Sequence, residues 1–551
     1  MSEKTAQMDL LSTAGPGKTP DSGNGRTAKK RSGSSGRATA QSMASRQRDI
    51  SISEFFSRNR HLLGFDNPRR ALLTGIKEAV DNSLDACEEA GILPEIEVAI
   101  ESVGSDRYLM RVRDNGPGIV KAQIPNIFGK LLYGSKFHRL KMSRGQQGIG
   151  ISAASMYGQL TTGKPTRILS RTSSRRPAHM YEIQINTTKN KPEIVREEDV
   201  PDWEHAQGTQ VEIEMEARYL RGRQSVDEYL RQTALANPHL HLIYSSPDGR
   251  REEYECSADE LPPEPKEVKP HPHGIELGVL MKMLHATPHR TLQGFLTQEF
   301  SRVSVRMAKE ICEKADLRAN SRPKSIAREE SDRLFKAINQ TKLMKPPTDC
   351  IVPIGEELLL ASLRQSVDAA FYTSTTRPPA VYRGNPFQVE VALAYGGDVD
   401  PDGTISLMRF ANRVPLLYQQ SACAITRSTI DVDWRNYRVS QSNGSMPTGP
   451  LVVIVHVASV WVPFTSESKE AVAHYPEIMK EIRLAVQECG RRVGEQISRQ
   501  RRAAEAERKK SYVSQYIGHI AEALQEITGD SDKKKQQVEE TLQSMLERSR
   551  S

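Results

Sequence analysis

The sequence predicts an α+β multidomain protein: an α/β-sandwich domain, a helical insert, and a second α/β domain that runs out into a long helix. Three observations predict it. Apolar residues recur at helical spacing between Asn67-Pro68 and Gly91, then switch to strand alternation over 95–113. After a stretch rich in Pro, Glu and Lys, Leu261 to Gly274, the pattern is helical from Ile275 to Ala337. Strands return over about 348–475 and give way at Pro476 to a charged helix with few breaks. The length of 551 residues suits about three or four domains.

The first helix begins with Asn67 as cap and Pro68 at its first position, and Gly91 stops it. Leu73, Ile76, Val80, Leu84 and Cys87 form its apolar stripe, which places Glu78, Asp81, Asn82 and Asp85 on the opposite side. Glu78 and Asn82 are four residues apart and point at one small volume. A carboxylate there can activate a water for attack on a γ-phosphate, and an amide oxygen suits Mg²⁺. Asp85 joins them as a nucleotide-binding candidate. Taken alone, this face reads rather as the solvated side of an amphipathic helix.

Two strands follow, with Ile96, Val98 and Ile100 alternating in the first and Tyr108, Met110 and Val112 in the second, joined by a Gly-Ser-Asp turn. The second ends in Asp114-Asn115-Gly116-Pro117-Gly118. Asp114 can accept the exocyclic amine of adenine, and glycines such as Gly118 let the backbone approach the base. Further on, Gly145-Gln146-Gln147-Gly148-Ile149-Gly150 runs into a predicted helix, so that backbone amides and the helix N-terminus converge on phosphate. It is not a Walker A loop, because no Gly-Lys-Ser/Thr follows. Phe128 to Lys136 reads as a lid over bound nucleotide, with Lys136 at its end.

The trio resembles the Bergerat (GHKL) ATPase fold shared by gyrase-type topoisomerases, heat-shock chaperones, mismatch-repair ATPases and histidine kinases. The resemblance implies Glu78 as general base, Asn82 as Mg²⁺ ligand, Asp114 as adenine reader and the glycine loop as phosphate wrap. Thr209, in Gly208-Thr209-Gln210-Val211, resembles the superfamily's late threonine near the adenine. Gln146 to Tyr157 and Pro463-Phe464-Thr465-Ser466-Glu467-Ser468-Lys469-Glu470-Ala471 are similar to the B subunits of type IIB topoisomerases (topoisomerase VI). In that family the lysine at Lys469 belongs to a transducer domain and reaches the γ-phosphate. Tyr219 to Val226 is similar to a basic Lys-Gly-Arg-Arg loop, implying DNA contacts by Arg221 and Arg223, with Gln224 in place of the last Arg. Asp433 to Arg438 is similar to a Trp-Lys-x-Tyr element, implying DNA contacts by Trp434, Arg435 and Tyr437. The resemblance covers roughly residues 50–500.

The implied layout is a disordered basic tail (1–50), a Bergerat-fold ATPase domain (51–255), a linker (256–274) and a helix-two-turn-helix domain (275–347). A transducer domain (348–475), a stalk helix (476–515) and a C-terminal helical tail (516–551) follow. Within the insert Phe295, Leu296, Phe300, Val303, Val305 and Ala308 are core candidates. The formal net charge of +8 favours an anionic partner. Six scattered cysteines with no CxxC pair suit a reducing compartment and argue against zinc. Asp398 to Gly403 mimics the start of a calcium loop but has Arg409 where the bidentate Glu belongs, so it reads as a turn. No stretch has the length of a membrane span and no signal peptide opens the chain, so a cytoplasmic, nucleoid-associated protein is expected. The implied function is an ATP-driven dimerising clamp on duplex DNA, in an A2B2 heterotetramer with a separate cleaving A subunit, using ATP and Mg²⁺. The alternative is a Bergerat-fold chaperone or mismatch-repair-type clamp without a cleaving partner.

Overall fold

The computed structural model describes residues 40–44, 50–134, 139–145, 148–529 and 531–548. The expected tail therefore lies almost wholly outside the described residues, as do Lys136, Gln146 and Gln147. A short helix, Ala40–Ala44, belongs to a separate unit from Ile50–Ser551, and all that follows concerns the latter.

The first sheet has eight strands: β1 (Glu95–Gly104), β2 (Arg107–Asp114), β3 (Thr166–Arg171), β4 (Ala178–Asn186), β5 (Lys191–Val200), β6 (Gly208–Glu216), β7 (His241–Ser245) and β8 (Arg251–Tyr254). Their order is β5-β4-β3-β6-β2-β1-β7-β8, antiparallel except for the pair β1 and β7. Alternation sorts the side chains. Ile96, Val98, Ile100, Met110 and Val112 face a helical layer and are buried. Their neighbours form ion pairs on the other face, Arg113–Glu97 at 2.8 Å and Arg111–Glu212 at 2.8 Å. The helical layer holds Pro68–Glu89, Gly150–Thr162 and Val226–Ala236. The first starts as expected: Asn67 accepts the Arg70 N–H at 2.9 Å and Pro68 fills the first position. Its stop is a left-handed Gly91.

The helical insert packs Leu277–Ala286, Leu292–Glu299, Val305–Lys314 and Arg328–Gln340 around Leu284, Phe295, Leu296, Phe300 and Leu334. Val305 is not in this core. It opens its helix just after the Ser304 cap and is 53% exposed.

The second sheet comprises β9 (Phe371–Thr376), β10 (Ala380–Tyr382), β11 (Asn385–Tyr395), β12 (Ser406–Ala411), β13 (Val414–Pro415) and β14 (Leu451–Ser459). The order is β10-β11-β14-β12-β13, with β9 on β11, and β12 runs parallel to β14. Every residue of β14 is buried, which is why it reads as an apolar run, broken only by His456 before it ends at Ser459. The helix Pro476–Thr528 lays Ile478, Ile482, Ala485, Cys489, Val493 and Ile497 on this sheet. It is longer than the expected 476–515 segment. Nothing breaks it before Gly529, whose left-handed backbone ends it, so its 53 residues extend about 80 Å. Asp532–Arg548 folds back along its end, covering Ile517 and Ala521.

The helical layer packs on the second sheet, and the run into the glycine loop is held by connecting segments. Leu235 and Ala236 join a core with Leu359, Leu363, Met408 and Phe410. The run into the loop is held by main chain, Met142 N–H to Cys350 O at 2.9 Å and Val268 N–H to Leu140 O at 3.1 Å.

Candidate active site

A cavity of about 600 Å³ opens between the helical layer and the first sheet, bordered on one side by the loop Glu467-Ser468-Lys469 that follows β14, within the size range of ligand pockets. Glu78, Asn82 and Ser83 line it from helix Pro68–Glu89, and Asp114 and Gly118 from the end of β2. Thr209 comes from β6, Gly145, Gly148, Ile149 and Gly150 from the glycine loop, and Lys469 from the loop after β14. Three distant stretches thus meet in one space. The closest approach is between Glu78 and Gly150. A Cβ built on Gly150 would lie 1.7 Å from Glu78 Oε2, so only glycine leaves room for the carboxylate at the helix start.

At the apolar end, Asp114 is buried and its acceptors are largely committed. Oδ2 accepts from Ser83 Oγ at 2.8 Å, and Oδ1 accepts the N–H groups of Gly116 at 3.0 Å and Thr209 at 3.1 Å. A carboxylate offers about four acceptor sites, so one remains for a donor in the cavity. Burial pushes its pKa up, opposed by these hydrogen bonds. Thr209 faces Asp114 across the β2–β6 pair, and its hydroxyl bonds Ser170 Oγ at 2.9 Å. Gly118 has φ +69°, and a Cβ there would sit 2.2 Å from Arg171 O.

At the other end, Gly148 has φ +56° and the helix Gly150–Thr162 begins at Ile149, whose side chain makes no cap. Gly150, Ile151, Ser152 and Ala153 of its first turn line the cavity, and the first N–H groups of a helix have no partner within it. Lys469, with φ +53°, reaches the same region and donates from Nζ to Arg144 O at 3.3 Å. Its loop is pinned to the first helix by Arg70, which pairs with Glu470 and donates to Ser468 Oγ at 3.3 Å.

Asp85 does not line this cavity, and the expectation that it binds nucleotide is corrected. It is buried, accepting from Arg144 Nη1 at 3.0 Å and from Gly145 N–H at 3.3 Å, so it anchors the loop instead. The sequence reading missed the network that surrounds it. The buried Arg144 guanidinium also donates to Glu88 at 2.7 and 2.8 Å and to Asn237 Oδ1 at 2.5 Å. Burial alone would raise the Glu88 pKa, but the Arg144 charge and the His239 contact outweigh it and hold it well below the usual range. Asp81, read as an exposed polar residue, is buried beneath Tyr229, whose hydroxyl donates to it at 3.1 Å. Burial pushes its pKa up to about 6. The available signal was an arginine immediately before the first loop glycine, facing three acidic residues one turn apart.

Of the DNA candidates, Arg221 and Arg223 are exposed, Arg221 in an ion pair with Asp248. Arg435 is exposed and pairs with Asp433 at 2.9 Å. Trp434 offers no surface to DNA, a second correction. It is fully buried, with Nε1–H donating to Thr429 O at 2.8 Å. Tyr437 is half-buried, its ring against Gly490 of the long helix, where a Cβ would come within 2.7 Å.

Among the described residues no group of three or more His, Cys, Asp or Glu could hold a metal, and no helix is long and apolar enough to cross a membrane. Residues 67–218 match the family of histidine kinase-, DNA gyrase B- and HSP90-like ATPases, and residues 346–509 match the transducer of the topoisomerase VI B subunit. The chain is 50% identical over 483 residues to the type 2 DNA topoisomerase 6 B subunit of Methanosarcina acetivorans, covering 88% of this chain and 78% of that protein. It is 48% identical over 486 residues to the protein of the same name from Archaeoglobus fulgidus, covering 88% and 80%. With both family models matched in one chain, and this identity sustained across both, the chain belongs to the family of topoisomerase VI B subunits.

Proposed function

We propose that ATP binds in this cavity with adenine toward Asp114 and its triphosphate between Glu78 and the glycine loop. Family membership makes the chain an ATP-hydrolysing subunit of a type IIB DNA topoisomerase. The observation that carries the site reading is the seating of the Glu78 carboxylate against Gly150 in a cavity that Lys469 also enters.

The base end selects by hydrogen bonding. The remaining acceptor on Asp114 takes the exocyclic amine, and Gly118 leaves the base an unobstructed wall. The phosphate end supplies loop N–H groups and the helix N-terminus. Glu78 takes the proton of a water as its oxygen bonds to the γ-phosphorus, and the bond to the bridging β–γ oxygen breaks to release ADP. Lys469 offsets the charge that builds on the transferring group and reports its presence to the second sheet. Glu78 and Asn82 supply hard oxygen donors on one wall beside the loop, which fits Mg²⁺. When bound there, the ion would neutralise phosphate charge.

The proposed assembly follows from the chemistry of the surface and the family. Two copies close on a duplex when ATP binds, residues 51–255 acting as motor and 348–475 as transducer, with 275–347 as the helical insert. The helix from Pro476 passes the motion to a DNA-cleaving A subunit, in an A2B2 complex inside the cell. Arg221, Arg223 and Arg435 meet phosphate, while Trp434 and Tyr437 hold the turn that presents Arg435. A chaperone or mismatch-repair-type clamp is not favoured, because the matched relatives are topoisomerase subunits over most of their length. The test is relaxation of supercoiled plasmid by this chain together with an A-type cleaving partner. Activity must need ATP and vanish with Glu78→Gln; relaxation without ATP contradicts the proposal.

A further inference from the structure

The residues just before the glycine loop are gripped from two sides. On one side the Arg144 side chain is buried against Glu88 and Asp85 of the first helix. On the other, two side chains of the second sheet reach main-chain carbonyls here: Lys469 Nζ to Arg144 O at 3.3 Å, and Asn412 Nδ2 to Ser143 O at 3.0 Å. The first contact belongs to a residue already assigned to phosphate. The second has no role in the site as described.

Asn412 is built for a fixed position. It opens the two-residue turn between β12 and β13, where it and Arg413 have φ of +48° and +65°, the left-handed pair that suits a tight hairpin and that Asn tolerates. It is buried and its amide is fully engaged. Nδ2 also donates to Ser459 O at 2.9 Å, and Oδ1 accepts Ser459 N–H at 2.9 Å. Ser459 is the last residue of β14, and the chain runs from it directly into the loop that carries Lys469. One amide therefore joins the root of the lysine loop to the carbonyl two residues before Gly145. Donor–acceptor bonds of this kind weaken steeply when stretched beyond about 3.5 Å, so a small slide of the second sheet over the first breaks or restores both carbonyl contacts together.

We propose that Asn412 is a positioning residue for ATP hydrolysis, acting with Lys469 as a two-point latch that sets the glycine loop according to the placement of the second sheet. This rests on the reading of the cavity as the ATP site. Two variants of the full chain probe the latch, and Tm read beside kcat separates it from the fold. Asn412→Asp keeps the left-handed backbone and an acceptor for Ser459 N–H but donates to neither Ser143 O nor Ser459 O; Asn412→Gly keeps the backbone and removes all three bonds of the amide.

Steady-state ATP hydrolysis should show kcat lowered about threefold to tenfold in both variants, the range expected from the lost Ser143 hydrogen bond alone because the Ser459 bonds act on the fold and are read in Tm, with KM for ATP within about twofold of wild type. Combined with Lys469→Ala, either variant should add nothing to the loss caused by Lys469→Ala alone, the signature of a shared step. Additive losses, or a lowered Tm with kcat unchanged, overturn the latch and leave Asn412 a turn residue. A wild-type chain that fails to bind ATP overturns the cavity reading and this inference with it; a wild-type chain that turns over ATP while the variants behave additively overturns the latch alone.

Discussion

Replacing Gly150 with Ala adds one methyl group at the point where the glycine loop meets Glu78. The new Cβ would stand 1.7 Å from Glu78 Oε2 and 2.3 Å from its Cδ, where real contacts stay above 3.0 Å. The carboxylate must therefore retreat by at least about 1.3 Å (3.0 less 1.7). A misplacement of about 1 Å at a reacting group costs roughly 100-fold in rate, and loss of a general base costs about 10²–10⁴-fold. The fold should not suffer, because Gly150 starts a helix and Ala is the better helix former by up to about 1 kcal/mol. The expected result is kcat for ATP hydrolysis down about 100-fold or more with Tm unchanged or raised, read by coupled ATPase assay and thermal melt. Gly278→Ala is the control, since a Cβ there meets nothing within 4 Å. Gly150→Ala with wild-type kcat would refute the assignment of Glu78 as the base.

The remaining predictions concern the buried acid and the turn that carries Trp434 and Arg435. Burial raises the Asp81 pKa from 3.8 to about 6, with the Glu78 and Asp85 charges adding and Lys77 and Arg144 opposing. Across that window the folded chain holds a proton that the unfolded chain has lost. The stability linked to Asp81 is thus full below 3.8 and is lost as pH rises through about 6. Asp81→Asn keeps the acceptor for Tyr229 and should be more stable than wild type at pH 8 by up to about 3 kcal/mol, with a smaller gain at pH 5; urea melts at both values check it. Arg435→Ala should weaken duplex binding and lower the slope of log affinity against log salt by about one, measured by fluorescence anisotropy. Trp434→Ala should instead destabilise the fold by about 3–5 kcal/mol, read by chemical denaturation, since it empties a buried site.

The lining of the cavity was legible because its parts are local patterns. A cap and a four-residue step placed Glu78 and Asn82 on one helical face, period-two alternation placed Asp114 at a strand end, and glycines marked the loop. What joins them is long-range, and single-sequence periodicity does not carry it. Asp81 and Asp85 looked solvated because they lie opposite the apolar stripe. They are covered by Arg144, from some sixty residues later, and Tyr229, so both sides of the helix are buried. Trp434 sits in a polar, charged stretch that suggests a surface, yet its ring turns inward while Asp433, Arg435 and Asn436 stay out. Val305 has a core-like neighbourhood in sequence but falls at a helix start facing outward. Asn412 belongs to no motif at all, since its partners lie 269 and 47 positions away. The long helix was recognised and the residues beyond 515 were expected to be helical, but the join at Gly529 was not placed, because the helix runs on unbroken to Thr528.

One shared cavity for the triphosphate underlies every step proposed for this chain, and the most direct measurement is a structure of the full chain with Mg²⁺ and a non-hydrolysable ATP analogue. The γ-phosphate should lie between Glu78 and the turn at Gly148–Gly150, with Lys469 Nζ moved from Arg144 O onto it and adenine against Asp114. Nucleotide bound elsewhere, or Glu78 and the loop contacting different ligands, would contradict it.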